Sequence, residues 1–316
     1  VADPAAGPAP ADRRPARGLG ALLFAYLLLA PKLFLVLPLA GTLLLARPRR
    51  LREWLWLAVA FAACVALLAP AGPLPDQMLR AFAVLAGGAF VALELWRPAP
   101  AFRRAWQAIA LGGVALWGWL RWLRLDPAVV GEEFVRSLGA RIGAEATRWR
   151  TAGGNPEFLR LLDGLATNAR PVVEVLPAWI GLLACAGFTL AWNWHRRVAA
   201  APLPPPSARF RDFAFSDHAI WVLVAGLALW LLQVPPPLAL AGTNLLVVAF
   251  ALYALRGLAI AATAMSTLPT PVLVAVALVS LLLAVFVLGG LFALGVADTW
   301  LDFRRRLRPA PPEERS

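Results

Sequence analysis

The sequence predicts an all-α polytopic membrane protein, a transmembrane helix bundle assembled from about eight apolar blocks. Three observations carry that reading. Of the 316 residues, 60% are hydrophobic and only 15% charged, whereas soluble domains run at roughly 45–50% apolar even with glycine counted. The apolar residues gather into blocks at 19–46, 54–70, 78–96, 105–122, 172–194, 217–233, 239–265 and 271–297, each near the roughly 17–25 residues that cross a bilayer as a helix. Lipid offers the backbone no hydrogen bonds, which leaves helices or closed barrels. Runs such as Leu281-Leu282-Leu283-Ala284-Val285-Phe286 lack the polar alternation of a barrel strand, so helices remain. Disordered, disulfide-scaffold and collagen-like chains are excluded by the same composition.

Taken in order, residues 1–17 form a Pro-, Ala- and Arg-rich tail, and 18–122 a first transmembrane bundle. Block 19–46 lacks a small-x-small cleavage pattern and reads as an anchor. Pro31-Lys32 and Pro38 interrupt it, so it is either one tilted helix or a short hairpin. Segment 123–171 differs. Val130, Phe134, Leu138 and Ile142 recur every four residues beside Glu132, Glu133, Arg136 and Glu145, the pattern of an amphipathic helix. Thr151 to Asn155 ends it, and a shorter helix follows with Phe158, Leu161, Leu162 and Leu165. This pair is expected on the membrane surface; a lid over a cavity is the sharper alternative. Residues 172–306 form a second bundle with a Pro-rich linker at 199–207, and 307–316 a second tail. Trp54, Trp56, Trp96, Trp106, Trp192, Trp194, Trp230 and Trp300 fall at block boundaries, as an interfacial aromatic belt requires.

Lysine and arginine total 30 against 18 acids, for a net charge of +12, and Lys32 is the single lysine. The arginines flank apolar runs, where they face anionic lipid headgroups, and no nucleic-acid-binding fold accompanies them. The positive-inside rule puts Arg47 to Arg52, Arg97 to Arg104 and Arg196 to Arg211 in the cytoplasm, and both tails are assigned there too, although a strict eight-span count opposes it. Cys64 and Cys185 lie inside apolar runs, which argues against a disulfide, and with only His195 and His218 besides them no metal-site spacing appears. Neither a metal nor another cofactor is called for.

Hydrolase, zincin and phosphate-loop signatures are missing, so no enzymatic activity is assigned. Asp298 and Asp302, one turn apart at a block edge, read as a helix-end salt bridge with Arg304 rather than an intramembrane catalytic pair. Ionisable groups inside apolar blocks cost about 2.5–3.5 kcal/mol or more and mark function by default. On that ground Lys32 and Arg256 are candidate ligand-binding residues, joined by Asn244, a polar residue one turn into its block that could bind a ligand or bridge helices; Glu94, close to Trp96, is expected to snorkel to the interface. Ala21-x-x-x-Ala25 and Gly257-x-x-x-Ala261 permit close helix contact.

The second half resembles the YybS-like family of uncharacterised bacterial membrane proteins. The residues that carry the likeness are Leu176-Pro177, Phe213 to Asp217 with Ile220-Trp221, Asn244 to Leu246, Leu252-Tyr253, Leu255 to Ala259, and Gly295 to Asp298 with Trp300 and Asp302 to Arg304. It is clearest over 170–306. The family often has proline in place of Ser216 and glutamine in place of Arg256, so a family-wide role for Arg256 is not implied. The resemblance implies a multi-pass protein of the bacterial cytoplasmic (inner) membrane. Its helix arrangement is similar to the substrate-binding components of energy-coupling-factor vitamin transporters, which makes Ala21 and Ala25 candidate partner-docking positions. The functional expectation is a small-solute-binding or transport component with membrane or cytoplasmic partner subunits. The alternative is a membrane scaffold that recruits other proteins without binding a solute.

Overall fold

The computed structural model describes residues 17–303, apart from positions 71, 98, 205–209, 214, 233 and 266–267. The two tails, part of the Pro-rich linker, and Arg13, Arg14, Arg209 and Arg304 to Arg308 thus lie outside the described residues. Among the described residues the secondary structure is entirely helical. Twelve α-helices follow one another: α1 Arg17–Leu29, α2 Leu33–Leu45, α3 Leu51–Leu68, α4 Leu74–Trp96, α5 Ala101–Trp122, α6 Pro127–Thr151, α7 Pro156–Thr167, α8 Arg170–Val198, α9 Ile220–Leu231, α10 Pro236–Ala264, α11 Thr270–Leu282 and α12 Ala284–Leu301. Short 3-10 turns occupy Phe210–Asp212 and Asp217–Ala219.

The apolar blocks are helices, but not all are full crossings. Helices α3, α4, α8, α10 and α12 are long and apolar enough to cross a membrane. Block 19–46 divides into α1 and α2, and block 271–297 into α11 and α12. A helix of 13 residues such as α1, α2 or α11 rises only about 20 Å, short of a hydrocarbon layer of about 30 Å. The break between α1 and α2 falls at Pro31, whose ring cannot continue the hydrogen-bond ladder. The two halves do not pack side by side, so the segment is a bent helix rather than a closed hairpin.

Helices α2, α3, α4 and α5 pack with α8 around one core. Phe34 meets Phe82 and Phe188 edge-on at 5.9 and 6.3 Å, and Phe90 lies 5.2 Å from Phe188 and 6.5 Å from Trp192. Buried Ala83, Ala86, Ala105, Ala108 and Ala184 let the helix backbones approach. At Gly187 any side chain would press on the Phe34 carbonyl oxygen, 2.8 Å from a Cβ there. A second group, α9, α10 and α12, packs on α8 through α10.

Cross-contacts sort the helix ends into two levels. Trp56 and Trp194 rings lie 4.8 Å apart, Ala200 N–H donates to the Glu53 carboxylate, and Phe102 and Phe213 rings lie 5.0 Å apart. Arg256 binds both Asp217 and Asp298. The described residues of the arginine-bearing segments, 47–56, 97, 99–104, 194–204, 210–213 and 215–217, therefore share one end of the molecule with 298–303. This arginine end gathers the three loops that the positive-inside rule groups together. At the opposite end lie the α3–α4 turn, α6, α7 and the starts of α8 and α10.

Candidate functional site

That opposite end holds a cavity. Asp126 caps α6 by accepting from Ala128 N–H at 2.9 Å, with Pro127 in the first helical position, and Asn155 caps α7 through Glu157 N–H at 2.8 Å beside Pro156. So started, α6 lies across α4 and α8. Its Val130 is buried with Met78 and Leu120, and Phe134 packs on that cluster. Arg141 Nη2 donates to both carboxylate oxygens of Asp76 at 2.7 Å, and Arg170 of α8 pairs with Glu132 at 2.5 Å. Exposed pairs contribute roughly 0.2–1 kcal/mol each, while burying a Val or Met contributes about 1.5–3 kcal/mol, so packing dominates the attachment. Of the two expectations for segment 123–171, α6 has the geometry of the lid. Helix α7 buries no residue and keeps Phe158, Leu161 and Leu165 exposed, as an interfacial helix does.

Beneath α6 is a cavity of about 660 Å³, within the range of roughly 300–1,000 Å³ typical of small-molecule sites. Phe82, Ile109, Leu116, Val135, Ile180 and Leu240 are among its apolar walls, contributed by α4, α5, α6, α8 and α10. Room comes from Gly113 and Gly131, where an added Cβ would meet nothing within 4 Å. Glu132, Arg170 and Glu174 are its charged lining residues.

The residues singled out in the sequence stand apart from this cavity and from one another. Lys32 is exposed at the α1–α2 bend. Asn244 acts on the α8 backbone at the Pro177 turn: its Oδ1 accepts from Ala178 N–H at 2.9 Å, and its Nδ2 donates to the Glu174 carbonyl at 2.7 Å. It thus bridges α10 to α8 beside the cavity wall. Arg256 is buried in an ion-pair network. Its Nε donates to Asp298 Oδ2 at 2.9 Å, Nη1 to Asp217 Oδ1 at 2.9 Å and Nη2 to the Asp298 carbonyl at 3.3 Å, with Phe215 beneath the guanidinium at 5.4 Å. Asp298 therefore pairs with Arg256, and its Oδ1 accepts from Phe303 N–H at 2.9 Å; the expected helix-end bridge to Arg304 lies outside the described residues. Ala21 and Ala25 are on the exposed face of α1, away from the buried Leu23 and Tyr26.

Glu94 corrects another expectation. Rather than snorkelling, it is only 4% exposed, and among the described residues neither carboxylate oxygen meets a partner at full hydrogen-bond geometry, with the Ala99 amide and the Arg104 guanidinium in its surroundings. His195, fully buried against Trp192, has no hydrogen-bond partner for either ring nitrogen among the described residues. Among the described residues no His, Cys, Asp and Glu side chains are grouped to hold a metal ion.

Sequence reasoning passed over the cavity residues Gly113, Gly131, Glu132, Arg170 and Glu174. The four-residue stripe of α6 announced a face to be buried, but only the fold shows that it roofs a space. Helices crossing at both levels, lipid-facing apolar surfaces and a lidded cavity define a polytopic α-helical membrane protein. Residues 19–299 match the family described as predicted membrane protein (DUF2232), and the chain belongs to that family. No curated protein and no solved structure matches it significantly.

Proposed function

We propose that the protein binds a small, largely apolar solute in the cavity beneath α6 and serves as a binding or transport component alongside partner subunits, without catalysing a reaction. We place it in a bacterial cytoplasmic membrane, with the arginine end inside. The observation that supports this reading most directly is the roofed cavity itself. Its walls come from five helices, and two of its glycines face open space. Asn244, among the residues singled out in the sequence, serves the site indirectly by fixing the α8 turn that carries Glu174.

Native mass spectrometry of the protein released from nanodiscs made of its own membrane tests the reading. A reproducible small adduct is expected on the wild type and lost in Gly131→Phe, whose ring would occupy the cavity. An adduct equally abundant in both refutes the site.

The scaffold reading rests on different observations: the outward Ala21 and Ala25 of α1 and the bare apolar face of α7. A chain that leaves the membrane with protein subunits alone, and with no small adduct, favours that reading.

A further inference from the structure

Resting on the cavity as a solute site, we infer that its ligand is a lipophilic cation. Three charged side chains line the cavity: Glu132, Arg170 and Glu174. The Arg170 guanidinium is already engaged by Glu132 at 2.5 Å. The Glu174 carboxylate forms no hydrogen bond or close ion pair among the described residues; its backbone carbonyl is what Asn244 holds. Other charges nearby cancel locally, Arg141 against Asp76 and Arg136 against Glu133. The lining thus carries one carboxylate in excess beside walls of Phe, Leu, Ile and Val.

The consequences for a ligand are asymmetric. An anionic headgroup would have to share Arg170 with Glu132, which already holds its Nη2, and sit beside two carboxylates. A cationic one meets Glu174 without breaking any existing contact, and the Phe82 and Phe134 rings in the wall offer π-faces to a delocalised cation. The apolar volume favours a bulky hydrophobic body around or behind the charge. This chemistry describes an amine-, guanidine- or onium-bearing hydrophobe entering from the lid end.

Tetraphenylphosphonium and tetraphenylborate, nearly the same in shape and opposite in charge, are suitable probes. Equilibrium dialysis against the full chain in zwitterionic nanodiscs, with empty discs subtracted, reads saturable binding. The phosphonium is expected to bind at one site per chain, and Gly131→Phe to abolish it. Glu174→Gln should weaken it about 1.5- to fivefold, the range of one exposed charge pair, and Arg170→Gln should tighten it. Glu174 is exposed, so its substitution leaves the fold intact, which the unfolding midpoint checks. Unchanged affinity in Glu174→Gln, or saturable borate binding at least as tight, overturns the inference. If neither probe binds while the native adduct still disappears in Gly131→Phe, the cation assignment falls and solute binding stands. If the adduct is missing as well, both fall.

Discussion

The two helix groups that meet α8 are both predominantly apolar but cohere in different ways. In the first, α2 to α5 meet α8 through interlocked rings and alanines: Phe34, Phe82, Phe90, Phe188 and Trp192 fill the space between backbones. In the second, α12 approaches α10 so closely that Gly257 and Gly295 face opposing carbonyls, and one guanidinium joins α10, α12 and the start of α9. Lipid is as apolar as leucine, so hydrophobicity cannot hold helices together within the bilayer; close packing or polar bonds must do so. The first group relies on many small contributions, whereas the second concentrates its cohesion in a few atoms. Removing one polar partner should therefore damage the second group far more than one apolar truncation damages the first, although Gly187 and Gly112 are tight points there too.

The sharpest test is the Arg256 network. The side chains of Arg256 and Asp298 are 8% and 2% exposed, while Asp217 is 64% exposed. Asp298→Leu removes a buried carboxylate partner while the guanidinium stays buried, and is expected to cost about 3–5 kcal/mol. The double variant Arg256→Leu/Asp298→Leu removes both charges and should recover most of that loss. Chemical unfolding in micelles reads both. A single variant as stable as the wild type would mean that the network contributes nothing to cohesion.

Close approach is the next lever. A Cβ at Gly295 would stand within the van der Waals radius of the Tyr253 carbonyl oxygen, and backbone cannot swing aside as a side chain can. Gly295→Ala is expected to cost about 1–3 kcal/mol through separation of α12 from α10. Gly131→Ala, with nothing within 4 Å, should be neutral or gain the roughly 0.5–1 kcal/mol by which alanine favours a helix over glycine. Equal effects at the two sites, measured by the same unfolding transitions, would contradict the close contact.

These contrasts explain what was legible beforehand. The helices were, because spans of apolar residues announce themselves by composition, and Pro31 marked the α1–α2 break. The partners of Arg256 were not: Asp217 and Asp298 lie 39 and 42 residues away, and no local spacing links them to it. Glu94 misled for a related reason. Its distance from Trp96 suggested access to the interface, but burial at that position depends on how neighbouring helices pack. Asn244 was legible as a polar group that must bond to something in lipid, though not as a brace for the Pro177 turn. The cavity was hidden because an amphipathic stripe reveals that a face will be covered, not that the cover leaves space beneath it.

The smallest effect separates the lid from both groups. If α6 is attached chiefly through Val130, Met78, Leu120 and Phe134, the Arg141–Asp76 pair is a minor restraint despite its two 2.7 Å contacts, because Arg141 is 55% exposed. Arg141→Ala is then expected to cost about 0.2–1 kcal/mol, with little response of the wild-type lid to salt, since screening weakens exposed charge pairs and leaves apolar packing intact. Hydrogen exchange of the α6 amides at low and high ionic strength measures this directly. Modest acceleration in the variant and near-constant protection of the wild type with salt fit a packed lid. Steep loss of protection as salt rises would instead make α6 an electrostatically latched cover, and entry to the cavity would then depend on ionic strength.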